Sequence, residues 1–273
     1  MRTKILYSAS DEAKGRITME YLIGAQTDIG STRPSNEDSV CIKRGHFGDT
    51  PVVLVAVCDG MGGLDKGGLA SATVVKTLSR WYEEKLPEFL PGPDWDRIKR
   101  SLEELAEKLN RQIGSFGEST RTRLGTTLCA MLIIGSEYEL INIGDSRAYI
   151  ISNGARQLTK DQTFIQRELD RGTITLEQAR THPKRNMLLQ CIGASKQTIP
   201  EMSFGSISRG ETYLLCTDGF RHHITNDELF AAFGRAEVLT TEDSIRDDIN
   251  SVITLVMQRG EKDNITAAVI RAV

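Results

Sequence analysis

The 273 residues predict an α+β domain in which helices pack outside antiparallel β-sheets. The order of elements is strands, two helices, many strands, helices, strand, without the regular βα alternation of a doubly wound parallel sheet. The longest strand-like run, PVVLVAVC at 51–58, is apolar throughout, as suits a strand covered on both faces. No repeat, low-complexity segment or linker divides the chain. Residues 19–273 are therefore read as one domain behind a polar, aperiodic extension over 1–18.

Taken in order, 20–27 and 39–43 have strand character and flank the polar segment DIGSTRPSNED. The buried run 52–58 follows and ends at Asp59, Gly60, Gly62 and Gly63. Helical spacing of Leu69, Ala72, Val75, Leu78, Trp81 and Tyr82 predicts a helix over 69–86. Pro87, Pro91 and Pro93 break the chain, and Asp94 can cap a second helix with a stripe of Trp95, Ile98, Leu102, Leu105, Leu109, Ile113 and Phe116. Strands are expected at 126–134, 139–143 and 148–151, with turns at Glu137-Tyr138 and Asn153-Gly154. Residues 162–180 are polar, helical in pieces broken at Gly172, and long enough to form a flap. Short strands at 187–192 and 212–216, helices at 227–233 and 244–259 and a strand at 265–270 complete the reading.

A net charge of −3 and the absence of a basic run give no reason to expect nucleic acid or an anionic membrane surface. No stretch approaches the ~20 apolar residues of a membrane span, and Ile5–Tyr7 is too short for a signal-peptide core. The five cysteines are odd in number and widely spaced, which suits free thiols in a reducing compartment. The expectation is a cytoplasmic protein.

The chemistry is suggested by a repeated placement of acids. Asp59 follows VVLVAVC, Asp145 follows LINIG, Asp218 follows YLLCT, Asp263 precedes ITAAVI, and Glu37 and Asp38 precede SVCI. An isolated Asp-Gly marks a turn, but several acids at the mouths of apolar strands repel one another unless cations compensate them. All-oxygen ligation selects hard ions such as Mg²⁺ or Mn²⁺. Arg33, four residues before Glu37, could form a salt bridge or hold a dianion by a bidentate contact. Asp145 could also be a turn carboxylate paired with Arg147. The segment Cys216-Thr-Asp-Gly-Phe-Arg221 is a poor thiol phosphate loop, because four residues separate Cys from Arg where five are needed.

Eight motifs in order, TDIGSTRPSNED (27–38), VCDGMGG (57–63), GTT (125–127), GDSRAY (144–149), LTKDQT (158–163), HPKRN (182–186), TDGF (217–220) and DNIT (263–266), resemble the metal-dependent Ser/Thr protein phosphatases of the PPM, or PP2C, type in their compact bacterial form. The resemblance spans roughly residues 20 to 271 and implies a β-sandwich of two antiparallel sheets flanked by helices. It implies hydrolysis of phosphoserine and phosphothreonine in proteins by a metal-activated water at a binuclear Mg²⁺ or Mn²⁺ centre. By that likeness Asp59 bridges the two ions, the Gly60 carbonyl binds one, Asp218 and Asp263 hold the other, and Glu37 reaches the centre through water. Asp38 and Asn264 support the ligands. Asp145 joins Asp218 at the third-metal site of bacterial members and so counts with the catalytic residues. Arg33 binds the substrate phosphate, 162–180 is the flap, and His182 handles protons or shapes substrate approach. The implied partners are phosphorylated Ser/Thr proteins, an opposing Ser/Thr kinase among them, met by a monomer. A non-catalytic relative that binds partners through the same fold is the alternative; it should have lost metal carboxylates, and Asp59, Asp218 and Asp263 are all present. Gln162, Leu64, Gly68 and the pair His222-His223 depart from the family's usual residues.

Overall fold

Strand β3 (Thr50–Cys58) runs through the middle of the protein in a computed structural model that describes residues 19–62, 66–90, 92–235 and 239–273. Its unbroken apolar run serves two cores. Val52, Leu54, Ala56 and Cys58 face helices, whereas Val53, Val55 and Val57 face a second sheet. Period-two geometry sends successive side chains to opposite faces, so a strand covered on both sides needs apolar residues at every position. The expected extension over 1–18, and Gly63 and Leu64 of the glycine turn, lie outside the described residues.

Before β3 come β1 (Tyr21–Asp28) and β2 (Ser39–Phe47); after it come β4 (Gly60–Gly62), α1 (Gly67–Glu84), a 3₁₀ turn at Leu86–Phe89 and α2 (Trp95–Thr120). Then follow β5 (Leu124–Thr126), β6 (Leu128–Ile134), β7 (Glu137–Ile143), β8 (Arg147–Ile151) and β9 (Ala155–Gln157). Two short helices follow, α3 (Phe164–Asp170) and α4 (Leu176–Thr181). Finally come β10 (Glu201–Ser206), β11 (Thr212–Cys216), α5 (Asp218–Arg221), α6 (Asn226–Phe233), α7 (Glu242–Gln258) and β12 (Ile265–Ala272).

Two antiparallel sheets form the sandwich, in the orders β1-β12-β11-β8-β9 and β10-β7-β6-β3-β2; β4 and β5 form a separate pair. The layer between the sheets holds Val55, Met131, Tyr213 and Ile270. Helices α1 and α2 cover the β3 sheet through Val74, Leu78, Ile98, Leu102 and Leu109. Helices α6 and α7 cover the other through Leu229, Phe233, Ile245, Ile249 and Val252. Each such aliphatic side chain stabilises the fold by roughly 1.5–3 kcal/mol. Asp94 caps α2 by accepting from the Arg97 N–H, and Thr225 and Thr241 close capping boxes on α6 and α7.

Four expectations are corrected. No strand forms over 187–192; that stretch makes isolated bridges from Leu188 to Thr163 and from Ile192 to Thr126. The turn expected at Glu137-Tyr138 falls two residues earlier, at Gly135-Ser136, where Gly135 takes φ 65° and Ile134 pairs with Glu137. The buried face of α1 runs through Ala70, Ser71 and Val74, leaving Leu69 exposed. On α2 the buried stripe includes Ala106 and Asn110 and excludes Phe116.

Candidate metal centre and substrate cleft

Asp59 leaves the end of β3 with its backbone clamped from two sides. Its N–H donates to Thr127 Oγ1 (2.9 Å), and its carbonyl accepts from the Thr127 N–H (2.9 Å) and Thr126 Oγ1 (2.9 Å). Gly60 then passes so close to α1 that an added Cβ would lie 2.3 Å from the Gly67 carbonyl oxygen and 2.4 Å from that of Glu37. Only glycine fits there. Helix α1 has no side-chain cap of its own. Glu37 supplies one from a distant loop, with Oε1 accepting from the Gly67 N–H (2.8 Å) and the Gly68 N–H (3.3 Å). Glu37 Oε2 is left for the cleft that Glu37 lines. Gly68, one of the departures noted in the sequence, thus donates through its backbone.

The loop 29–36 is fastened to the segment before β12. Ser31 Oγ donates to the Glu261 carbonyl (3.0 Å) and Thr32 Oγ1 to that of Lys262 (2.7 Å). Gly30, at φ 75°, approaches the Asp263 carbonyl so closely that a Cβ would lie 2.0 Å from its oxygen. Asn264 organises the loop: Nδ2 donates to the Ile29 (2.9 Å) and Ser35 (3.1 Å) carbonyls, and Oδ1 accepts from the Glu37 N–H (2.8 Å). Arg33 Nη2 meets Asp263 Oδ2 at 2.6 Å. Asp38 Oδ2 accepts from Thr217 Oγ1 (2.9 Å), tying this loop to the end of β11.

Asp145 and Asp218 follow β7 and β11. The alternative pairing of Asp145 with Arg147 is not what forms. Arg147 makes a bidentate contact with Asp161 (2.7 Å at each oxygen), while Asp145 Oδ2 faces Arg221 Nη2 at 3.4 Å. Arg221 also lies 3.5 Å from Asp161. The sequence reading missed Arg221 and Asp161 as partners, although both stand within or beside quoted motifs; the local order Asp145-Ser146-Arg147 suggested the nearer arginine. The thiol-loop alternative fails, because Cys216 is fully buried and burial pushes its thiol up to about 12.

One cleft of about 2170 Å³ brings together Arg33, Glu37, Asp59, Gly60, Asp145, Asp218, Asp263 and Asn264. Burial, and then the fields of Asp218, Asp38, Asp145 and Asp263, raise the Asp59 carboxyl well above the usual carboxylate range. Burial foremost, then Asp218, raises Asp145 to about 6. Asp38 rises to about 7, chiefly by burial, against the opposing hydrogen bonds of Thr266 and Thr217. Oδ1 of Asp38 and Oδ1 of Asp218 are buried without a hydrogen-bond partner. Mutually repelling acids with orphaned oxygens fit a multivalent cation. Among the described residues, no three His, Cys, Asp or Glu side chains are drawn together closely enough to hold an ion by themselves. An open set of oxygens suits ions that keep several of their waters, as Mg²⁺ does.

The segment 162–180 forms two helical pieces broken at Gly172, which has φ 67°. Gln162 ties its base to the Asp145 turn: Oε1 accepts from the Gly144 N–H (2.9 Å), and Nε2 donates to the Ile199 carbonyl (3.0 Å). His182 is not brought to the acids. It stacks on Phe164 at 5.2 Å, its Nδ1 accepts from the Lys184 N–H, and it is not among the side chains lining the cleft.

Comparison with known proteins gives the same grouping. The family profile described as protein phosphatase 2C matches residues 35–253. The serine/threonine protein phosphatase PstP of Mycobacterium tuberculosis is 31% identical over 257 residues, covering 93% of this chain and 45% of PstP. The chain thus spans less than half of that relative's length. The serine/threonine phosphatase stp of Listeria monocytogenes is 30% identical over 248 residues, which are 90% of this chain and 93% of stp. A crystal structure of the PstP catalytic domain in complex with two manganese ions superposes with a TM-score of 0.76 at 29% identity, covering 94% of this chain and 100% of that one. With the family profile matching most of its length and a relative 30% identical over 90% of it, the chain belongs to the protein phosphatase 2C family.

Proposed function

We propose that this chain hydrolyses phosphoserine and phosphothreonine in proteins, using Mg²⁺ or Mn²⁺. Asp59, the Gly60 carbonyl, Asp218 and Asp263 would hold two ions, with Glu37 reaching them through water and Asp145 joining Asp218 at a third position. Bound there, the ions supply Lewis acidity, lowering the pKa of water toward neutrality and offsetting charge on the phosphoryl oxygens. The protein's own part is positioning. Arg33, half-exposed at the cleft and already beside an acid, can exchange its Asp263 contact for two oxygens of the phosphate. Asn264 fixes the loop carrying Arg33 and Glu37, and the Thr126–Thr127 clamp fixes Asp59. The opposing partner is a Ser/Thr kinase acting on the same proteins, and the chain works as a monomer. Among the described residues, no helix is long and apolar enough to cross a membrane.

The single observation carrying the reading is the convergence of Asp59, Asp145, Asp218 and Asp263 in one cleft, with Asp218 Oδ1 buried and without a hydrogen-bond partner. Turnover of p-nitrophenyl phosphate and of a phosphothreonine peptide, with Mn²⁺ and with EDTA, tests it. Activity that needs the metal, and that Asp59→Asn lowers at least ~10-fold at saturating Mn²⁺, is expected. Metal-independent turnover, or an active Asp59→Asn, would count against the assignment.

A further inference from the structure

Beside Asp218, where the sequence carries the unusual pair His222-His223, the structure holds a carboxylate with an unmet oxygen. Glu261 has a side-chain exposure of only 6%. Its Oε1 accepts from the Lys262 N–H (2.7 Å) and the Asp263 N–H (2.9 Å), which fixes the carboxylate. Its Oε2 is buried without a hydrogen-bond partner and is aimed at the two histidines. His222 Nδ1 stands 3.4 Å from that oxygen, and His223 Nε2 stands 3.8 Å from it. The other nitrogen of His222, Nε2, is turned toward Asp218 Oδ2 at 3.6 Å. Asp218 Oδ1 is itself buried and unpartnered. Glu261, His222 and Asp218 therefore form a line from the segment before β12 to the cleft, and all three line the cleft.

A histidine that ligates a metal through one ring nitrogen donates the other N–H to a carboxylate, which sets the tautomer and ring orientation. His222 stands close to that arrangement, with a buried carboxylate oxygen 3.4 Å from Nδ1 and, 3.6 Å from Nε2, an acid whose other oxygen is orphaned. We propose that His222 is a nitrogen ligand to the ion held by Asp218, with Glu261 as its positioning residue. This rests on the metal reading of Asp218 proposed above. The consequence is selectivity. Carboxylates and waters alone suit Mg²⁺ and Mn²⁺ alike, whereas an imidazole strengthens transition ions and does little for Mg²⁺. His222 would then bias a centre otherwise built from oxygen toward Mn²⁺ and similar first-row divalent ions. His223, on the far side of Glu261, faces no second acid within ion-pair distance among the described residues and serves as the internal control.

The test uses the whole chain with Mn²⁺ or Mg²⁺ alone. Pulsed electron paramagnetic resonance of the Mn²⁺-loaded protein should show ¹⁴N coupling in the wild type and in His223→Gln, and none in His222→Gln. Calorimetry should find Mn²⁺ affinity lowered roughly 10–100-fold in His222→Gln, and lowered in the same direction in Glu261→Gln. Mg²⁺ affinity should stay within about twofold in His222→Gln. The proposal is overturned by an absence of nitrogen coupling in the wild type, by coupling that survives His222→Gln, or by equal losses for Mn²⁺ and Mg²⁺. Asp218→Asn separates the two levels: if it binds both ions as the wild type does, the metal reading of Asp218 falls, and this inference with it.

Discussion

Glu37 uses its two carboxylate oxygens for different purposes, and substitution can separate them. Oε1 receives the N–H groups of Gly67 and Gly68 at the uncapped start of α1, so part of its value is structural and independent of metal. Glu37→Gln can keep an acceptor there and loses only the charge facing the helix end, worth about 0.3–1 kcal/mol. Glu37→Ala also removes the cap, worth roughly 0.5–2 kcal/mol, for a total of about 1–3 kcal/mol. At roughly 2–4 °C per kcal/mol for a domain of this size, the alanine variant should melt about 3–10 °C below the wild type in EDTA, with the glutamine variant between them. Adding Mn²⁺ at ~100 times its Kd should stabilise the wild type by a further ~2.7 kcal/mol. Both variants should retain most of that gain, since Glu37 is proposed to reach the ions only through water. Differential scanning fluorimetry in EDTA and in Mn²⁺ measures all three proteins. An alanine variant that melts within about 1 °C of the wild type in EDTA would refute the capping argument.

Arg33→Ala should raise KM for a phosphopeptide about ten- to a hundredfold, with Mn²⁺ affinity little changed; steady-state kinetics beside calorimetry checks this, and an unchanged KM counts against it. Asp145→Ala should leave two tightly bound ions per chain and slow kcat strongly, whereas full turnover per folded molecule would mean that Asp145 serves only to pair with Arg221. Glu139, on β7 and only 3% exposed, has its carboxyl raised from 4.5 to about 7, chiefly by burial. Because the folded pKa is the higher one, its favourable contribution is full below about 4.5 and is lost as pH rises through about 7. Glu139→Gln should therefore match the wild type in stability, followed by melting temperature, near pH 4 and exceed it at pH 8, by on the order of 1–3 kcal/mol. Equal melting temperatures at both pH values would show that the burial cost of this carboxylate is already met.

The parts of the fold that could be read from sequence are those in which side chains face a core. β3 and β12 are apolar at nearly every position because each is covered on two faces, and α2 and α7 carry continuous stripes. β10 was missed because an edge strand with sequence EMSFGS leaves Phe204 exposed and buries little, so it carries no periodic signal. The stretch 187–192 is apolar enough for a strand, yet its backbone is used to hold the segment that begins at Gln162, as in the Leu189 N–H donating to the Gln162 carbonyl. At the site, the acids were legible because carboxylates at strand mouths violate the expected pattern. Their partners were not. Arg221 reaches Asp145 across 76 residues, and Glu261 acts on residues about 40 positions earlier, which no local spacing reveals.

The pairing of β1 with β12 has a consequence for how the cleft comes into being. These strands match residue for residue from Tyr21 with Ala272 to Asp28 with Ile265, and β12 lies inside its sheet between β1 and β11. Glu37 is fastened to α1, but the part of the loop carrying Arg33 is fastened to carbonyls and side chains some 230 residues further on. During synthesis, everything from β2 to α7 can collapse, with Glu37 already on α1, while the Arg33 end of the loop still lacks these late partners. Such non-local closure is entropically expensive and comes late. A nascent chain therefore carries Arg33, the proposed phosphate contact, without its Asp263 partner until the strand ending at Ala272 has left the ribosome, and this edge of the cleft assembles late in folding.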